Sequence, residues 1–299
     1  MSEARPILKW AGGKRQLLPA LREFYPPAFK IYFEPFLGSA AVFLDLHNRR
    51  MLGRGARLSD CSADLIGCYI AVRDAVEEVI AELERLAEEH RDRGSAHYYE
   101  VRNRRFNPMR RELAGQPSAP YPPELAAMLI YLNRTGYNGL FRLNARGDFN
   151  VPAGRYERPV ICDSVNLRSV SSALRQPGVQ IEIARFDAAL ACARPGDFVY
   201  LDPPYAPTSR TSSFTAYTAG GFAAADQDRL QALVVELARG GCRMLLSNST
   251  APAIKRLYAD NRRVRAAGLR ALAVPARRAI NSRASRRGPV MEFVITNIV

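Results

Sequence analysis

Six short β-prone runs limit what this chain can fold into: Ile31–Phe36 (IYFEPF), Arg57–Cys61 (RLSDC), Val179–Ile183 (VQIEI), Phe198–Leu201 (FVYL), Met244–Asn248 (MLLSN) and Val290–Ile298 (VMEFVITNI). Each ends in, or runs into, polar or turn residues. Helical patterns lie between them, at Ser39–Arg49 and at Gln227–Ala238, where apolar residues at 230, 233, 234 and 237 share one helix face. Strands alternating with helices predict an open, mainly parallel α/β sheet. The alternation breaks once, because residues 62–178 separate the second run from the third, far more than a crossover requires.

That interval has a character of its own. Asp74–His90 predicts an acidic amphipathic helix with apolar residues at 76, 79, 80, 83, 86 and 87, its charge suiting a solvated face. From Arg91 to Arg111 the chain turns basic, with aromatics interleaved. A proline-rich linker, Gln116–Pro123, leads to a helix at Glu124–Asn133 and then to the loop-like NRTGYNGLFRLNARGDFNVPAGRY. The expected organisation is a discontinuous catalytic domain, 1–73 and 166–299, into which a mostly helical subdomain, 74–165, is inserted.

Charge narrows the partner. The chain has 43 basic against 29 acidic residues in 299, a net charge of +14, which makes a polyanion, and nucleic acid first, the expected partner. Only Lys9, Lys14, Lys30 and Lys255 are lysines; GC-rich coding accounts for that choice of arginine but not for the net excess. Five cysteines without CxxC spacing read as free thiols in a reducing compartment. Three histidines form no HExxH pattern, so no metal is expected. The start MSEARPILKWAGGKR carries charges where a signal peptide needs an apolar core. No apolar run approaches ~18 residues. The expectation is a cytoplasmic protein without membrane contact.

In open α/β sheets ligands bind outside the carboxyl ends of the strands. Glu34, Asp60, Asp202 and Asn248 stand there. Gly38 follows the first strand in EPFLGSAAVF, but the full GxGxxG is missing, which argues against a pyrophosphate pressed onto the turn. Asp60 is placed to bind ribose hydroxyls, although acids also cap strand and helix ends in ordinary structure. The cofactor then reads as a nucleoside without a diphosphate. In KWAGGKRQLLP (9–19) the paired glycines permit close backbone approach, Trp10 a flat face and Lys14 a charge; a plain turn before a helix is the alternative. In FVYLDPPYAP, Pro203 and Pro204 end the strand and stiffen the backbone directly after the carboxylate of Asp202.

Taken in order, KWAGGK, EPFLGSAAVF, SDCSADLI, the 133–156 segment and DPPYAP resemble the Dam-type (D12 class, alpha group) DNA adenine-N6 methyltransferases, from Lys9 to about Tyr217 and more weakly beyond. The resemblance implies a Rossmann-like S-adenosylmethionine-dependent methyltransferase sheet with an inserted target-recognition subdomain. It implies S-adenosyl-L-methionine as cofactor and double-stranded DNA as partner. It makes Asp202 and the carbonyl of Pro203 acceptors for the two N–H groups of the adenine amine, and Tyr205 the stacking partner of a flipped base. Trp10 and Lys14 would enclose the cofactor, Glu34 and Phe36 line its pocket, Asp60 hold the ribose, and Phe186 and Asp202 lie beside it. A plain core aromatic is the other reading of Phe186.

The same resemblance places the DNA readers. Tyr137 would wedge into the stack beside Asn138, and Leu140 and Arg142 would reach base edges, Arg142 with two parallel bonds to guanine. Pro152, Arg155 and Tyr156 close that element, and Lys9 would meet the outer guanine of a GATC site. The alternative is a structural hairpin whose arginines touch only phosphate. Asp rather than Ser at 202 favours adenine over cytosine N4. Methylation of RNA adenine or of cytosine N4 stays open, as does a catalytically silent DNA-binding regulator, and a cognate restriction endonuclease is a conceivable partner. The run RRAINSRASRRG (277–288) suits a phosphate clamp or a solvated basic loop.

Overall fold

The computed structural model describes residues 2–10, 12–116, 119–205, 222–277 and 289–298. The basic run at 277–288 lies outside these residues, apart from the backbone of Arg277. In chain order the structure runs α1 (Leu18–Arg22), β1 (Tyr32–Glu34), α2 (Ala41–Asn48), β2 (Ala56–Asp60), α3 (Ala63–Asp74) and α4 (Val76–Glu100). A π-helical turn (Val101–Phe106), α5 (Asn107–Ala114), α6 (Pro123–Thr135) and α7 (Ser164–Leu174) follow. Then come β3 (Val179–Ile183), α8 (Phe186–Leu190), β4 (Phe198–Leu201), α9 (Ala224–Arg239) and β5 (Arg243–Ser249). The chain closes with α10 (Pro252–Ile254), α11 (Arg262–Ala266), β6 (Arg270–Arg277) and β7 (Pro289–Thr296).

Two compact units emerge. One comprises Met1–Gly13, Gly38–Asn48 and Ser62–Gln176; the other comprises Lys14–Leu37, Arg49–Cys61 and Pro177–Val299. The second unit holds one seven-stranded sheet in the order β3-β2-β1-β4-β5-β7-β6. Strands β1 to β5 are parallel, while β7 runs antiparallel to β5 and to β6. Strand order therefore reverses between β1 and β4, the switch point at which such sheets bind ligands. Glu34 ends β1, Asp60 ends β2 and Asp202 follows β4. The apolar stripe of α9 explains its seat: Leu230, Val234, Val235 and Ala238 share a core with Val199, Leu201, Met244 and Leu246 of the central strands.

The sixth strand, β6, is not foreseen by the apolar pattern. RALAVPAR alternates small alanines with larger residues and carries Pro275, which reads as a loop. It pairs only with β7, at the sheet edge, where a residue lacking an N–H is tolerated.

The first unit is helical. Helix α6 is buried from Leu125 to Asn133, as expected for LAAMLIYLN. In α3 the bare Cα of Gly67 makes room for the Tyr121 ring, which a Cβ would meet at 2.3 Å. Helix α4 runs past the change from acidic to basic residues, because those charges lie mainly on its uncovered side while Val79, Ile80, Leu83, Leu86, His97 and Tyr98 are buried. Its interruption is Gly94, at φ +50°. Among the described residues no helix is long and apolar enough to cross a membrane.

Candidate active site

In the sheet unit, Asp202 at the end of β4 stands in a cluster of polar side chains formed by Lys14, Ser247 and Glu292. Strand β4 is buried throughout, and its two following prolines carry the chain straight off the sheet. The Lys14 ammonium lies 2.7 Å from Asp202 Oδ1, with side chains 7% and 18% exposed. Ser247 on β5 donates to the same Oδ1 at 3.1 Å and shares a 3.1 Å hydrogen bond with the Tyr200 hydroxyl. Both contacts engage one oxygen of the carboxylate. Burial holds the Asp202 carboxyl above the usual carboxylate range, Lys14 and Ser247 pull it back, and nearby Glu292 adds to the rise.

Tyr205 completes this cluster. Its hydroxyl donates to Glu292 Oε2 at 2.7 Å, and the Lys14 ammonium stands 4.6 Å from its ring centroid. Burial, then the Asp202 charge, raises its phenol well above the ordinary value. The loop is pinned from another side, where Gln227 on α9 donates to the Pro204 carbonyl at 3.0 Å. Asn248 approaches Gln227 Oε1 at 3.4 Å.

The other strand ends flank an aromatic group. Glu34 is buried and accepts from the Tyr32 hydroxyl at 2.9 Å. Phe36, half-buried, stacks on Phe186 at 5.6 Å and meets Phe222 edge-on at 5.7 Å. Phe186 itself is a core residue, 3% exposed, whereas Phe36 and Phe222 are half-buried. Asp60 is partly exposed, and its carbonyl accepts from Ala184 at 3.2 Å.

All the anticipated DNA readers fall in the helical unit. Residues 136–154 fold back as a hairpin, bridged at Gly136↔Ala153 and Leu143↔Phe149. Buried Asn107 fastens it by two bonds to the Phe149 backbone, at 2.8 and 3.0 Å. Arg110 grips Asp64 with two 2.7 Å bonds and donates to the Gly147 carbonyl at 2.8 Å. Tyr137, Asn138, Arg142, Pro152, Arg155 and Tyr156 are exposed, and Leu140 is half-buried. Arg142 Nε donates to Asn150 Oδ1 at 2.7 Å across the hairpin. Asn138 takes φ +55°, a conformation that asparagine tolerates better than most residues.

Lys9 is locked to this hairpin. Asn133 accepts from its N–H at 2.7 Å and donates to its carbonyl and to that of Gly139, each at 2.8 Å. The Lys9 ammonium lies 4.8 Å from the Tyr156 ring centroid. Trp10, expected beside the cofactor, belongs to the same unit and stacks on Phe141 at 5.4 Å. A 2.9 Å bond runs from Gly13 to the Trp10 carbonyl, and Gly12 takes φ +79°, which accounts for the first glycine of the pair.

Residues 10–272 match the family described as D12 class N6 adenine-specific DNA methyltransferase. The chain belongs to that family. It is 36% identical to the type II methyltransferase M1.LlaDCHI of Lactococcus lactis subsp. cremoris, over 98% of this chain and 95% of that protein. It is 38% identical to the type II methyltransferase M.MjaIII of Methanocaldococcus jannaschii, over 83% and 85% respectively. With a DNA adenine methylase of Salmonella typhi it shares 33% identity, over 83% of this chain and 82% of the relative. The chain is thus an adenine-specific DNA methyltransferase built on a Rossmann-like methyltransferase sheet.

Three residues of this methyltransferase cluster escape a reading of the sequence: Ser247, Gln227 and Glu292. The available signal is a polar residue inside an apolar run, in MLLSN and in VMEFVI, since burying one without a partner is costly. Among the described residues no group of three or more His, Cys, Asp or Glu side chains is arranged to hold a metal ion.

Proposed function

We propose that the enzyme moves the methyl group of S-adenosyl-L-methionine to N6 of an adenine rotated out of duplex DNA, with GATC as the target site. The observation that carries the reading is the anchoring of Asp202 through one oxygen. Lys14 and Ser247 both bind Oδ1, so the carboxylate is fixed while Oδ2 can accept an N–H. The exocyclic amine of adenine is a poor nucleophile because its lone pair is delocalised into the ring. Two acceptors, Asp202 Oδ2 and the Pro203 carbonyl, draw that nitrogen toward a pyramidal geometry and expose the lone pair. Such acceptors work only if held within fractions of an ångström. The two prolines, and the Gln227 bond to the neighbouring Pro204 carbonyl, supply that rigidity. A carboxylate with a raised pKa is also the stronger proton acceptor while it remains ionised.

The residues present suit the cofactor. Phe36, backed by Phe186 and Phe222, offers a face to a purine, and Asp60 and Glu34 bring carboxylates to adjacent strand ends where ribose hydroxyls would bind. Lys14 and Asp202 stand at the reacting end. When bound, S-adenosylmethionine supplies an electrophilic methyl on a sulfonium. The target base is proposed to stack on Tyr205. With Lys14 over one face of that ring, stacking falls to the opposite face.

Residues 74–165 are proposed as the target-recognition part, with Lys9, Leu140 and Arg142 reading bases, Tyr137 and Asn138 filling the gap in the stack, and Pro152, Arg155 and Tyr156 flanking them. A cytoplasmic location, where such a DNA substrate is found, is part of the proposal. The test is expression in a bacterium free of DNA methylation, followed by modified-base sequencing, for the wild-type chain and for Asp202→Ala. N6-methyladenine at GATC is expected from the wild type and none from the variant. Methylation at another motif removes the GATC assignment, and a variant that methylates at near wild-type rate removes Asp202 from the chemistry.

A further inference from the structure

The chemistry above gives no part to a buried acid that touches Tyr205. Glu292 lies inside β7, 8% exposed, in the apolar run VMEFVI. A carboxylate is rarely kept in such a position unless a donor holds it. Here the donor is the Tyr205 hydroxyl, at 2.7 Å, within the range of a charge-assisted O–H···O⁻ bond. The two ends of this bond differ in how they are fixed. Glu292 stands opposite Ser249 in the antiparallel β5–β7 ladder, so its place is set by backbone hydrogen bonds. Tyr205 sits on the loop that leaves β4, and two rotatable bonds separate its ring from the backbone. The hydroxyl bond at the far end of the ring fixes the direction of the ring axis, and the Lys14 ammonium lies over one face.

We propose that Glu292 is a positioning residue for methyl transfer: by accepting the Tyr205 hydroxyl hydrogen bond at a fixed strand position, it holds in place the ring on which the target adenine stacks. This rests on the roles proposed above for Asp202 and Tyr205. It gives a physical reason for an acid that a purely structural strand would replace with valine or leucine. It also brings β7, at the end of the chain, into the chemistry of a motif far from it in sequence.

The test is single-turnover methyl transfer to a duplex oligonucleotide by Glu292→Ala, Glu292→Gln, Tyr205→Phe and the Tyr205→Phe/Glu292→Ala double variant, with Asp202→Ala in the same assay. Glu292→Ala should slow transfer about tenfold to a hundredfold, as expected for a displaced reacting group. Its affinities for duplex and cofactor should stay near those of the wild type. Glu292→Gln, which keeps an acceptor oxygen, should recover most of the rate, and Tyr205→Phe should reproduce the Ala defect. The double variant should be no slower than the slower single, because both changes remove the same bond. With 2-aminopurine at the target position, Glu292→Ala should raise emission, since the base loses its stacking partner. A wild-type rate in Glu292→Ala overturns the proposal, as do additive effects in the double variant. So does a Gln variant as slow as Ala beside an unaffected Tyr205→Phe. Should Glu292→Ala fail to fold, Glu292→Gln and Tyr205→Phe decide the matter by the same criteria. An inactive Asp202→Ala beside a normal Glu292→Ala rejects only the role of Glu292, whereas an active Asp202→Ala rejects the reading beneath it.

Discussion

Replacing Lys14 with methionine keeps the length of the side chain and removes its charge. The ammonium sits 2.7 Å from Asp202, and the two side chains are 7% and 18% exposed. Breaking one partner out of a buried pair costs about 3–5 kcal/mol. Asp202 retains Ser247 and some contact with water, so a loss of about 2–3 kcal/mol is expected here. For a chain of this size that corresponds to a drop in Tm of about 3–5 °C. The pH dependence carries the sharper test. Burial already raises the Asp202 pKa, and Lys14 is the strongest influence lowering it; without Lys14 it rises further, facing Glu292, Tyr200 and Tyr205 with only Ser247 to oppose the change. An acid whose folded pKa exceeds its unfolded value destabilises the native state as pH rises through the folded value, and the penalty vanishes below the unfolded one. The deficit of Lys14→Met relative to wild type should therefore be largest near pH 8 and shrink toward pH 5, with melting followed by circular dichroism. An equal deficit at both ends of that range, or none at all, would refute the claim that Lys14 compensates a buried Asp202 charge.

Two further outcomes test the hairpin. Asn133→Ala removes three bonds at a residue that is 2% exposed and strands backbone groups of Lys9 and Gly139. A loss of about 3 kcal/mol or more is expected, read from the urea midpoint, together with weaker duplex binding as Lys9 comes loose. Arg142→Ala should cost about 1–3 kcal/mol of discrimination at one base position while barely changing nonspecific affinity. Methylation of a panel of single-base site variants measures this, and an unchanged target profile would exclude Arg142 from reading.

Local pattern carries information as far as it determines structure. FVYL and VQIEI announce strands because four or five adjacent residues suffice to specify each, and the strand ends then locate Glu34, Asp60 and Asp202 on the sheet. Edge strand β6 is hidden because its neighbour, not its own composition, makes it a strand. The clamp on the Asp202 loop is hidden for a different reason: Ser247, Gln227 and Glu292 lie 45, 23 and 87 residues from their partners, and no local spacing encodes such a meeting. The basic run 91–111 has a structural side that local sequence does not show: Arg105 pairs with Glu82 and Glu124, Arg110 with Asp64, and Arg111 with Asp148, so these arginines fasten the protein to itself while the net charge of the chain is unchanged.

The division of the chain into two units has a consequence for how such an enzyme can be made and altered. The backbone passes from one unit to the other at 13–14, 37–38, 48–49, 61–62 and 176–177, so neither unit corresponds to a continuous stretch of gene. During synthesis the helical unit cannot close until Gln176 has emerged from the ribosome, and the sheet unit must wait for its final strand. Recombination that trades whole segments between relatives would cut through both cores at once. Point changes on the hairpin surface, proposed above to read the target, are the milder route, because exposed side chains there can vary without disturbing either interior.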